Sequence, residues 1–218
     1  MDFNAARQTM VDSQVLPNRV TDKRVIEALA EVPREAFVPA KMQEIAYVDE
    51  AIAVAEGRYI LEPMILARLM QAADLKSGDV ALAIGSENGY APAILARIVS
   101  TVVAVESDKG LVQQATRTLS DLGIDNVAVV EGALKEGYPK QGPYDVIFFN
   151  GAVDEFPDSI VSQVGDGGRL VAIVSSVGGT IGRAVLVINV NGVVSRRELF
   201  DAGTPMLPGF EREQTFAF

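Results

Sequence analysis

A chain of 218 residues, 49% of them hydrophobic, is long enough to bury a sizeable core, and a single unit spanning 1–218 is the expectation. A formal charge of −10 argues against nucleic acid as a partner, because such affinity comes from clustered Lys and Arg. The absence of Cys and His removes a disulfide framework, a thiolate nucleophile, the commonest zinc ligands and the imidazole base of triad hydrolysis.

In chain order, residues 5–15 and 22–32 carry apolar positions at three- and four-residue spacing, with Thr21 and Asp22 as caps and Pro33 as the stop, and read as two short amphipathic helices. A third helix is predicted from Pro63 to Ala73, with Ile65, Leu66, Leu69 and Met70 on one face. Residues 1–77 thus form a helical extension, and 78–218 a different kind of unit. From Asp79 onward, short β-branched runs alternate with helical patterns, the signature of βαβ units in a parallel sheet. Strands are predicted at 80–84, 102–106, 127–131, 146–150 and 170–175, with a clear helix at 109–122 ending at Gly123. Residues 184–190 and 193–200 flank Asn191-Gly192, a strong hairpin signal, so an antiparallel pair should finish the sheet, with Thr215 to Phe218 as a further edge segment. No apolar stretch reaches the roughly 18 residues of a membrane span, and the first residues lack the pattern of a signal peptide. The expectation is a cytoplasmic protein without a membrane partner; its oligomeric state is not legible.

The run Val80 to Ile84 breaks at Gly85-Ser86-Glu87-Asn88-Gly89 before a helical pattern resumes at Tyr90. A strand, glycine turn and helix start is where many α/β proteins hold a nucleotide-like cofactor. In dinucleotide and S-adenosylmethionine folds alike, an acid at the end of the second strand, about 20 residues on, accepts hydrogen bonds from ribose hydroxyls. Glu106, closing Val102 to Val105, meets that geometry. Asn150 ends a later strand at the sheet edge where ligands gather, which makes it a substrate-side candidate. Asp49 and Glu50 read as a solvated loop, Arg196-Arg197 as a solvated strand edge, Asp145 as a local backbone support and Gly178 to Gly182 as a flexible turn.

The segments Val11-Asp12-Ser13-Gln14, Val25 to Leu29, Val32-Pro33-Arg34-Glu35-Ala36-Phe37-Val38-Pro39, Ala46-Tyr47, Gly85, Gly89-Tyr90, Leu122-Gly123 and Asn126-Val127 together resemble the protein-L-isoaspartate O-methyltransferase family over most of the chain. The resemblance implies a class I S-adenosylmethionine-dependent, Rossmann-like methyltransferase fold. That fold has a mostly parallel seven-stranded sheet, an antiparallel C-terminal hairpin and an N-terminal helical extension over the substrate. It also implies S-adenosylmethionine as methyl donor and isoaspartyl carboxylates of damaged proteins as acceptor. Cofactor contacts would then fall on Gly85, Ser86, Glu87, Gly89, Glu106, Gly132 and Ala133, and the acceptor would lie near Tyr59, Leu61 and Asn150. The reaction class suits a histidine-free chain, because a carboxylate is already a nucleophile at neutral pH and a sulfonium is already an activated leaving group.

Four positions depart from the family pattern. Ala83 stands where an acid usually precedes the Ile-Gly pair, Glu87 replaces the turn's middle glycine, Ala133 replaces the aspartate that meets the adenine, and Leu61 ends a run where a serine is expected. Glu87 either obstructs the donor's methionine part or attracts its cationic groups, and its bulk favours obstruction. A family member whose donor site is degenerate, serving as a binding or scaffold protein, is therefore the alternative to an active methyltransferase. A nicotinamide-dependent oxidoreductase, suggested only by the turn and the acid, ranks behind both.

Overall fold

The computed structural model describes residues 1–175 and 181–211. The Asp2 carboxylate accepts from the Asn4 and Ala5 amides at 3.0 and 3.1 Å, starting α1 (Phe3–Met10), which runs on through a π-turn over Val11–Val15. Asp22 caps α2 (Lys23–Glu31) in the same way, and the chain turns extended at Val32 before Pro33. A hairpin unforeseen from the sequence follows, β1 (Ile52–Ala55) paired antiparallel with β2 (Arg58–Ile60). Pro63 then opens α3 (Pro63–Ala72) at its first turn.

The remaining elements are β3 (Val80–Ile84), α4 (Tyr90–Ala96), β4 (Thr101–Glu106), α5 (Lys109–Asp121), β5 (Val127–Glu131), β6 (Tyr144–Val153), α6 (Asp158–Val161), β7 (Val164–Val174), β8 (Gly182–Val190) and β9 (Val193–Ala202). One seven-stranded sheet takes the order β5-β4-β3-β6-β7-β8-β9. Neighbours run parallel from β5 to β7, while β8 and β9 run antiparallel about the Asn191-Gly192 turn. Side chains alternate between the two faces, and the central strands β3, β4 and β6 are buried on both. Ala81, Ala83, Val102 and Ala104 pack with α3 and α4 on one side, and the small alanines let the helices approach closely. Leu82, Ile84, Val103, Val105, Ile147 and Phe149 build the core on the other.

Strands β6 and β7 are longer than the sequence pattern predicts. Glycines 151, 165, 167 and 168 interrupt the apolar runs and sit at irregularities in the β6–β7 ladder, which resumes on the far side of each with a shifted register. Ala152 also pairs with the segment after β9, its amide donating to the Pro205 carbonyl at 2.9 Å and its carbonyl accepting from the Leu207 amide at 2.8 Å. The expected edge segment at 215–218 and most of the turn at 178–182 lie outside the described residues. Among the described residues, no helix is long and apolar enough to cross a membrane.

Candidate active site

The order of connection reverses beside β3: the connection after β3 leads to β4 on one side, and β6 lies on the other, all three strands parallel. Open α/β sheets bind ligands at the carboxyl ends of strands flanking such a point. There the Gly85 and Ser86 amides both donate to the Val105 carbonyl, at 3.1 and 3.2 Å, and the Gly89 amide returns to the Ser86 carbonyl at 2.7 Å, making a tight turn into α4. The structure therefore brings together Gly85, Ser86, Glu87, Gly89, Glu106 and Asn150, every one of them buried.

Glu106 has no exposed surface. One oxygen accepts from the Ser107 amide at 2.7 Å, the Asp108 amide at 3.0 Å and Arg58 Nη2 at 2.9 Å, and the other accepts from Arg58 Nε at 3.1 Å and the Glu87 amide at 3.2 Å. A carboxylate offers about four lone-pair sites, so this one is saturated by protein donors. Arg58 is itself buried, and Ser107 Oγ accepts from its Nη2 at 2.9 Å.

Glu87 holds a left-handed backbone, φ 49°, that disfavours residues with a Cβ. Its side chain turns inward, where Oε1 accepts from the Tyr59 amide at 3.1 Å. Burial raises the Glu87 carboxyl well above its ordinary pKa; the Tyr59 amide opposes the shift and the nearby Glu106 charge reinforces it, with the Asn150 side chain a lesser opposing hydrogen bond. Desolvation wins, and the acid form is favoured.

The last part of the crevice belongs to Leu207. A Cβ built on Gly85 would lie 2.6 Å from Leu207 Cδ2, and one on Gly151 would lie 2.6 Å from Leu207 Cγ. The leucine thus rests directly on backbone at the ends of β3 and β6, which only glycine permits.

The other candidates are more dispersed. The Gly132 amide donates to the Glu106 carbonyl at 3.0 Å beside the acid, whereas Ala133 is exposed on the loop after β5. Tyr59 is half-buried on β2; Leu61 is buried, and its carbonyl accepts from Arg34 Nη2 at 2.9 Å. Asp145 accepts from the Val80 amide at 2.8 Å, Asp49 and Glu50 are exposed, and Arg196 and Arg197 are both exposed on β9. Sequence reasoning missed Arg58 and Leu207. The alternation at 52–54 before Gly57 is the available sign of the hairpin carrying Arg58, while Leu207, beside Pro208 and Gly209, carries no periodic signal.

A mostly parallel seven-stranded sheet with a reversed terminal strand pair, a glycine turn after its first parallel strand and an acid ending the next defines the class I methyltransferase fold. The family model described as Protein-L-isoaspartate(D-aspartate) O-methyltransferase matches residues 5–191. Protein-L-isoaspartate O-methyltransferase 1 of Geotalea uraniireducens is 41% identical over 165 residues, covering 76% of this chain and 75% of that protein. The Roseiflexus castenholzii protein-L-isoaspartate O-methyltransferase is 36% identical over 198 residues, 91% and 89% of the respective chains. A solved protein-L-isoaspartate O-methyltransferase superposes with a TM-score of 0.81 at 26% identity, over 94% of this chain and 67% of that one. The chain belongs to the protein-L-isoaspartate O-methyltransferase family.

Proposed function

We propose that this chain acts as a carboxyl methyltransferase on isoaspartyl residues of damaged proteins in the cytoplasm, with S-adenosylmethionine as donor. Family membership over residues 5–191 supports the reaction. The observation within the molecule that carries it is Glu106, placed at the carboxyl end of β4 beside the switch point and held by the amides of Glu87, Ser107 and Asp108. The acceptor chemistry fits the composition, since a carboxylate needs no proton removed before it acts as a nucleophile and the chain contains no histidine.

As folded, the crevice does not fit the donor. Ser86, Glu87, Asn88, Glu106 and Asn150 are all 3% exposed or less, buried by protein atoms alone. The carboxylate assigned to the ribose already holds Arg58. Ala133, where the family places an adenine-binding aspartate, offers no side-chain acceptor. The roles of Gly85, Ser86, Glu87, Gly89, Glu106, Gly132 and Ala133 toward a donor, and of Tyr59, Leu61 and Asn150 toward an acceptor, accordingly belong to an opened form of this crevice.

The test is methyl incorporation from labelled S-adenosylmethionine into an isoaspartyl peptide, with the normal aspartyl peptide as control. Transfer to the isoaspartyl peptide alone is expected. No transfer at millimolar donor, from either the natural chain or a Glu87→Gly variant, would overturn the reading in favour of the scaffold alternative, which the filled crevice motivates.

A further inference from the structure

We infer that the crevice at the end of β3 is latched shut by the chain's own side chains, the Arg58 guanidinium standing on Glu106 where a ligand's hydroxyl groups would bind, with Glu87 and Leu207 filling the space alongside. This deepens the donor reading and rests on it.

The three side chains are not scattered intruders. Arg58 comes from the β1–β2 hairpin, and Leu207 from the strap after β9. The two segments meet over the crevice: a Cβ on Gly57 would lie 2.9 Å from Pro208 Cγ. Glu87 ties the hairpin down from below through the Tyr59 amide. The strap is held by its two backbone bonds to Ala152 and by Phe210, whose ring meets Phe149 edge-on at 5.6 Å.

The latch also has somewhere to go. A cavity of about 250 Å³ lies outside it, lined by Ala55, Glu56, Arg58, Ser107, Asp108 and Leu111. Glu56 and Asp108 offer carboxylates in that cavity, so a guanidinium leaving Glu106 exchanges one acidic partner for another and does not enter solvent unpaired. Glu106 would then keep its three backbone donors and free the two positions that Arg58 holds. A side-chain swing and a shift of the hairpin convert the filled crevice into one that a ribose can reach. The apparent affinity of any donor is that of the open form multiplied by the fraction of molecules that are open.

The experiment titrates S-adenosylhomocysteine by calorimetry into the full chain and into Glu87→Gly, Arg58→Ala and the double variant, each first checked for folding by thermal melting. Binding tighter than the natural chain by about tenfold or more is expected in Glu87→Gly and in the double variant. Glu87→Gly carries the test if Arg58→Ala does not fold. Hydrogen exchange supplies a second readout: the Tyr59 amide of the natural chain should exchange faster when ligand is added, because opening breaks its bond to Glu87. Equal affinity across all forms, or ligand-induced protection of Tyr59, overturns the latch and leaves the donor reading standing. No binding by any folded form overturns both.

Discussion

Tyr59 and Glu87 are joined by a single hydrogen bond from the backbone amide of one to the side-chain carboxyl of the other, at 3.1 Å. A residue of the glycine turn is thereby clamped to the hairpin that covers it, and turn and cover become one piece. The acid that makes the clamp is fully enclosed, which gives it a measurable signature.

Because burial raises the Glu87 pKa in the folded state, the folded chain holds this proton more tightly than the unfolded chain. Its contribution to stability is complete below the ordinary carboxylate range and is lost progressively as pH rises from there toward the raised folded value. Glu87→Gln keeps the oxygen that accepts from Tyr59 and removes the titration. The variant should match the natural chain near pH 4 and exceed it by about 1–3 kcal/mol near pH 8, the scale of burying an incompletely paired polar group. Urea unfolding at the two pH values measures this, and a parallel loss in both proteins would contradict it.

Arg58 and Glu106 form a buried pair with side chains 7% and 0% exposed. Removing one member strands the other, so Arg58→Ala should cost about 3–5 kcal/mol. Glu106→Gln should cost less, because the amide oxygen still accepts from backbone donors. In the Arg58→Ala/Glu106→Gln double variant the loss should fall well short of the sum, and strict additivity in the unfolding cycle would show that the pair is not coupled.

The contact between Leu207 and Gly151 makes a steric prediction. A methyl group on Gly151 would lie 2.6 Å from Leu207 Cγ and 3.4 Å from the Pro205 carbonyl oxygen. Gly151→Ala should destabilise by about 1–3 kcal/mol, as overpacking does. Leu207→Ala removes the obstacle, so adding Gly151→Ala to that background should cost little. An undiminished penalty in the leucine-free background would place the clash elsewhere.

How much of this was legible in sequence depends on the range of the interaction. Val80 to Ile84, the break at Gly85, the strand ending at Glu106 and the Asn191-Gly192 turn are all local patterns, set by side-chain period and turn chemistry, and the folded chain places them as read. Asp22 capping α2 is equally local. The position of Glu106 at a strand end was legible for the same reason, but its partner was not. Arg58 lies on a three-residue strand and reaches the acid across 48 positions, and no periodicity couples two such residues. Leu207 is a similar case, since its seat depends on glycines in two different strands. The substitution of Glu87 for glycine could be seen, and obstruction inferred from its bulk. Its bond to Tyr59 required the hairpin that the sequence did not reveal.

Arg34 anchors the same region from the helical side. Wholly buried, it donates from Nε to the Ala46 carbonyl at 2.6 Å and from Nη2 to the Leu61 carbonyl at 2.9 Å, and its guanidinium carbon lies 5.0 Å from the centre of the Tyr90 ring at the start of α4. One side chain thus fixes the loop before β1, the exit of β2 and the first residue after the glycine turn. Arg34→Ala strands two carbonyls and opens a cavity, and should cost about 3–5 kcal/mol by the sum of those effects. Arg34→Lys should recover only part of this, because a single ammonium cannot span both carbonyls while lying over the ring. Thermal and urea unfolding of the two variants, alongside Glu87→Gln, distinguish the roles: Arg34→Ala should lose stability to a similar degree at pH 5 and pH 8, since the guanidinium it removes stays charged across that range even though burial lowers its pKa, whereas the Glu87 effect should appear only at the higher pH.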